Sequence, residues 1–148
     1  MNGKFLSGMA VLLVAAATVV AGEIELDGVK CVVASRDAQA SKSADYKEGK
    51  VYFCCNGCSS TFTKTPEKFA AQANRQLVQT KQYEQKGCPF SGGDVDPEVT
   101  LKVAGTSVAF CCSGCQGKVE KAEAEDQVKM VFGDKAFKKA FEKKSSEG

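Results

Sequence analysis

The eight cysteines constrain this chain more than any other feature, because they fall twice in one spacing. Cys31, Cys54, Cys55 and Cys58 form one set; Cys88, Cys111, Cys112 and Cys115 form the other, each member 57 residues after its counterpart. Both sets read Cys-x22-Cys-Cys-x2-Cys with no insertion between the copies. Asp37, Val51, Phe53 and Gly57 recur at the same offset as Asp94, Val108, Phe110 and Gly114. Four cysteines keeping one spacing twice mark a duplication, so the fold is to be read as one unit met two times.

The N-terminus sets the chemical environment of those thiols. Met1-Asn2-Gly3-Lys4 is a short basic start, and the run Phe5–Val20 is apolar apart from Ser7, Gly8 and Thr18. Val19-Val20-Ala21 ahead of Gly22 and Glu23 completes the pattern of an export signal cleaved after Ala21. The apolar run falls short of the ~20 residues of a comfortable membrane span. The expectation is an exported protein, periplasmic or extracellular, with residues 1–21 as signal peptide and no stable membrane span after cleavage.

Cleavage leaves 127 of the 148 residues, enough for one small domain or two very small ones without a deep core. Aromatics make up 8% and tryptophan is absent, so packing alone looks thin and the cysteines are expected to act as staples or metal ligands. The absence of histidine excludes Ser-His-Asp and Cys-His catalysis and any His-bound metal. A net charge of +2, one less without Lys4, is far from the basic excess of a duplex-binding domain, so no nucleic-acid partner is expected. Asp37, Asp94 and Asp96 read as turn residues, and Ser91-Gly92-Gly93 lacks a phosphate-loop context. The chain is not expected to be an enzyme.

Each copy carries the same coarse grammar. In the second, Val99–Val103 alternates apolar and polar residues, Ala104-Gly105-Thr106 reads as a turn, and Ser107–Cys111 as the return strand. In the first, Gly49 marks the turn and Lys50–Phe53 the return strand, while Arg36–Asp45 reads as a loop and Pro97 as loop-to-strand punctuation. Asn56-Gly57 and Ser113-Gly114 read as turn dipeptides tolerant of positive φ within the Cys clusters. Helices should follow: one opened by Pro66 with Phe62, Phe69 and Ala73 inward and running towards Val78, one lined by Val119, Ala122 and Val128, and a terminal one carrying Phe137 and Phe141. Lys135, Lys138, Lys139 and Lys143 give that last helix a solvated face. The expected fold is small α+β, with modules at 24–80 and 81–148, each a Cys loop, a β-hairpin and a helix.

Cys54 and Cys58 stand about one helical turn apart at a helix start, where the macrodipole favours thiolate. The hairpin can deliver Cys31 as a third donor. Cys55 is the candidate fourth, although adjacent cysteines point in different directions and it can equally face away. Four thiolates suit a closed tetrahedral Zn²⁺ site, three suit Cu(I). The alternative is a scaffold of disulfides, since an exported protein meets oxidising conditions, each bridge being worth about 2–4 kcal/mol. Three cysteines within five residues fit a metal more naturally than two bridges.

The run Val51-Tyr52-Phe53-Cys54-Cys55-Asn56-Gly57-Cys58, followed by Phe62, Pro66 and Phe69, resembles the YHS and TRASH families of metal-binding domains. Cys88-Pro89-Phe90-Ser91-Gly92 is similar to the opening of a related ribosomal large-subunit zinc protein. The resemblance covers 30–71 and 87–128 and implies treble-clef-like modules that bind zinc or copper. The ligands it implies are Cys31, Cys54 and Cys58, then Cys88, Cys111 and Cys115. Two departures stand out. Ala34 and Ser91 occupy the places where the ribosomal relative has a second cysteine, which leaves the fourth ligand to Cys55 and Cys112. The second copy also carries Val119, Glu123 and Asp126 in place of the Phe-x3-Pro-x2-Phe run.

Overall fold

A computed structural model describes residues 24–145; the segment read as an export signal lies outside them. The duplication is visible to the residue. In the first copy β1 (Gln39–Tyr46) pairs antiparallel with β2 (Gly49–Phe53), and α1 (Asn56–Lys64) follows. A 3₁₀ turn (Pro66–Phe69) then leads into α2 (Ala70–Gln79) and the short β3 (Tyr83–Gln85). In the second copy β4 (Asp96–Val103), β5 (Thr106–Phe110) and α3 (Ser113–Glu120) sit 57 residues on, followed by α4 (Ala124–Phe132), α5 (Asp134–Ala140) and β6 (Phe141–Lys143).

Even the irregularities repeat. Register slips between Gln39 and Ser43 against β2, and between Asp96 and Thr100 against β5. Lys47 and Ala104, 57 residues apart at the hairpin tips, both take positive φ, at 52° and 46°. Gly105 follows at 83°, so both central residues of the second tip are left-handed, as a type I′ turn requires.

Arg36–Asp45 corrects the loop expected there, because most of it is strand. β1 lacks an apolar alternation and keeps most of its side chains in solvent; backbone pairing with β2 makes it a strand. Pro97 likewise lies inside β4, within the register slip between Asp96 and Thr100, where a missing N–H costs least. Asn56-Gly57 and Ser113-Gly114 are the first residues of α1 and α3, not positive-φ turns.

The helical stretches are more broken than their periodicity predicts. Pro66 opens the 3₁₀ turn, and the helix reaching Val78 begins only at Ala70. Val119 and Val128 lie on separate helices, with Ala122 between them. Phe141 is not on the helix of Phe137 but opens β6; the two rings still stack with centroids 5.3 Å apart. Lys135, Lys138, Lys139 and Lys143 are exposed.

Both copies contribute to one hydrophobic core. Phe53, Phe62 and Leu77 from the first copy join Phe110, Val119, Phe132 and Phe137 from the second in one buried cluster. β3 pairs antiparallel with β6, which closes the chain's end onto the linker between copies. Polar contacts cross as well. Arg75 of α2 donates to the carbonyl of Ala104 at the second hairpin tip (2.8 Å), and Lys47 at the first tip reaches Asp134 (3.1 Å). Asn74 donates to Phe132 O and to Asp134 Oδ1, at 2.8 and 3.0 Å. For a chain with so little aromatic mass, pooling two half-cores buries more apolar surface than two separate ones could.

Candidate metal centre

Each Cys cluster is assembled from three places. Cys31 stands on a loop closed by its own N–H donating to the carbonyl of Arg36 (2.8 Å); Cys88 is held the same way by Gly93 (2.9 Å). Cys54 and Cys111 follow directly on β2 and β5, whose buried Phe53 and Phe110 anchor them. Cys55 and Cys112 are the N-cap residues of α1 and α3, in extended conformation, and Cys58 and Cys115 lie in the first helical turn.

The sulfurs of Cys31, Cys54 and Cys58 lie within 4.8 Å of one another, and so do those of Cys88, Cys111 and Cys115. Cys54 and Cys58 are 3.7 Å apart, Cys111 and Cys115 3.6 Å. Zn–S bonds of about 2.3 Å in a tetrahedron place sulfurs about 3.8 Å from each other, so the spacing fits a metal thiolate centre. All eight cysteines are free thiols. Cys55 and Cys112 border these trios without joining them. Cys112 approaches Cys111 at 3.9 Å and is exposed, whereas Cys55 is half-buried beside Cys54 and Cys58.

The backbone prepares one sulfur of each trio for negative charge. Burial raises the pKa of Cys31, but the amides of Cys54, Val33 and Ala34 hydrogen-bond its sulfur and bring it below the ordinary thiol value. Burial likewise opposes ionisation of Cys88, and the amides of Ser91, Cys111 and Phe90 outweigh it, lowering this thiol to about 6. Amides two and three residues after a cysteine, turned onto its sulfur, stabilise a thiolate whether or not a cation is near. Once that charge exists, a neighbour in each trio resists ionising. Cys58 and Cys115 are each pushed up to about 12, by burial first and then by the surrounding thiols. Amides of Cys58 and Gly57 lower Cys55, and those of Cys115 and Gly114 lower Cys112, although neither helix has a closed side-chain cap. Thiols that repel each other's charge at this distance are stabilised together by a cation at their centre.

The sequence brought all six sulfurs of the two trios into view by spacing alone. It did not reveal the amides that hold Cys31 and Cys88, since any residue type supplies an N–H. Nor did it mark Ser91 as more than the place of a missing cysteine; its hydroxyl lies 3.4 Å from the sulfur of Cys111.

Comparison with protein-family models, with curated proteins and with solved structures finds no significant match. No helix among the described residues is long and apolar enough to cross a membrane.

Proposed function

We propose that this chain is an exported, non-catalytic protein that binds soft metal ions, Zn²⁺ or Cu(I), at two thiolate sites in tandem YHS/TRASH-like, treble-clef-like modules. The observation that carries the reading is the convergence of three sulfurs in each copy within 4.8 Å. Cys31, Cys54 and Cys58 hold the first ion and Cys88, Cys111 and Cys115 the second, with Cys55 and Cys112 at hand as fourth donors. Bound metal would supply a closed, cross-linking centre where the apolar core is thin. The amide hydrogen bonds to Cys31 and Cys88 support the same reading, because they stabilise thiolate in advance of the ion.

Native mass spectrometry of the exported chain, before and after chelator, tests it. Two ions at full thiol mass are expected. A metal-free chain lighter by the hydrogens lost in bridge formation would overturn the reading in favour of a disulfide-stabilised interaction module.

A further inference from the structure

Among the positions at which the two Cys loops differ, one brings a side-chain hydroxyl to a sulfur. Ala34 and Ser91 are equivalent in the repeat, three residues after Cys31 and Cys88. The Ser91 hydroxyl donates to the Cys111 sulfur across 3.4 Å, while its oxygen accepts the N–H of Gly93 (3.2 Å). That second bond occupies a lone pair and leaves the hydroxyl proton for a sulfur of the trio, Cys111 or Cys88. Ala34 can do nothing of the kind for Cys54.

We propose that the two thiolate clusters are unequal, filling in order with the Cys88–Cys111–Cys115 cluster first, and that the Ser91 hydroxyl sets the order. The inference rests on the metal-binding reading above and deepens it. Three thiolates around a divalent ion keep a net negative charge, and a donor hydroxyl disperses it. A neutral thiol is a far weaker acceptor, so the hydrogen bond is stronger in the loaded cluster than in the empty one. Bonds of this outer kind shift metal affinity by about 10–100-fold. The Cys31 loop also forms a wall of an open cleft of about 430 Å³, shared with Phe69, Gln72 and Arg75. The first cluster is therefore the exchangeable one, placed to give up or take on metal while the second stays loaded.

The test uses the reduced, metal-free full chain and one equivalent of Zn²⁺. Brief alkylation followed by peptide mass spectrometry reads which cysteines the ion protects. Protection should fall on Cys88, Cys111 and Cys115 by about 10-fold over Cys31, Cys54 and Cys58. Ser91→Ala should erase that preference, Ser91→Thr should keep it, and Ala34→Ser should draw zinc towards the first cluster. Ser91→Thr controls for damage to the loop, since it retains the hydroxyl. Equal protection of both clusters in the unmodified chain, or an order unchanged by Ser91→Ala, overturns the proposal while leaving metal binding intact. A chain that retains no zinc at either cluster overturns the metal reading itself.

Discussion

Gln76 pairs with Tyr52 as a neighbouring strand would. Its Oε1 accepts the N–H of Tyr52 at 2.6 Å and its Nε2 donates to the Tyr52 carbonyl at 3.0 Å and to the Lys30 carbonyl at 2.9 Å. The second copy repeats the pattern on the equivalent residues from a different place in the chain. Gln85 accepts from Ala109 N–H and donates to the carbonyls of Ala109 and Gly87. Gln82 makes the same double bond to Lys50, two residues along the β2 edge. Side-chain amides thus close strand edges that would otherwise offer unpaired groups, and they tie each Cys-loop backbone to its hairpin. The duplicated unit kept the need for a clamp while its source moved.

Gln76 is fully buried, so its removal leaves a buried N–H and carbonyl without partners. Gln76→Ala should cost about 3 kcal/mol, read from urea denaturation. Gln76→Glu should be no better, since an ionised carboxylate cannot donate to the two carbonyls. Gln85→Ala should cost less, because Gln85 is only half-buried and water can replace part of what it supplies. Equal and negligible losses at both positions would show that the clamps carry no stability.

Asp134 makes the contact between copies sensitive to acid. Hydrogen bonding from Asn74 first, then the hydrogen bond and charge of Lys47, holds its carboxyl below the usual value, against some desolvation. A depressed folded pKa means the contribution is complete above the unfolded value near 3.8 and is lost as pH falls through the folded one. The side chain is 61% exposed, so solvent screening keeps the effect small. Acid also releases metal from thiolates, which both chains share. The stability difference between the parent and Asp134→Asn should therefore be constant from pH 5 to 7 and shrink below ~4. A difference that does not change with pH would remove Asp134 from the account.

Gly133 joins α4 to α5 at ordinary φ, yet its Cβ position is already taken. A β-carbon there would run into the carbonyl oxygen of Lys129, which accepts the Gly133 N–H at 3.0 Å. Backbone cannot swing aside as a side chain can. Gly133→Ala should cost about 2–3 kcal/mol in urea denaturation. Gly117, with nothing near its Cβ position, should accept alanine and gain slightly from helix propensity. Comparable stability of the two variants would contradict the close approach at Lys129.

How much of this was legible in the sequence follows from the range of each interaction. Cysteine spacing, hairpin tips and the ends of β2 and β5 are local, and the 57-residue repeat fixed them twice over. Gln76 and Gln85 were not legible: a glutamine reads as surface, and each finds its strand partner 24 residues away. β1 was misread because its polar, exposed residues make it a strand only through β2. The change from 3₁₀ turn to helix at Ala70 and the break after Glu120 were hidden because apolar spacing continues across them. The shared core depends on contacts between copies that no period within one copy records.

The trios also rank the cysteines within each cluster. Cys58 lies inside the first trio, Cys115 inside the second, whereas Cys55 borders its trio from the N-cap position of α1. Cys58→Ser and Cys115→Ser should each lower bound metal from two ions to one, as counted by native mass spectrometry, and each should lose the structure that chelator removes. Cys55→Ser is different in kind. Serine is a favoured N-cap residue, so α1 keeps its start, and the trio of Cys31, Cys54 and Cys58 is untouched. That variant should retain two ions, with the first stripped by chelator at about tenfold lower concentration if Cys55 completes the shell when metal is present. Loss of a full ion equivalent in Cys55→Ser would place Cys55 on equal terms with the trio and make the first site a four-thiolate centre. Two ions retained in Cys58→Ser would break the assignment of the trio altogether.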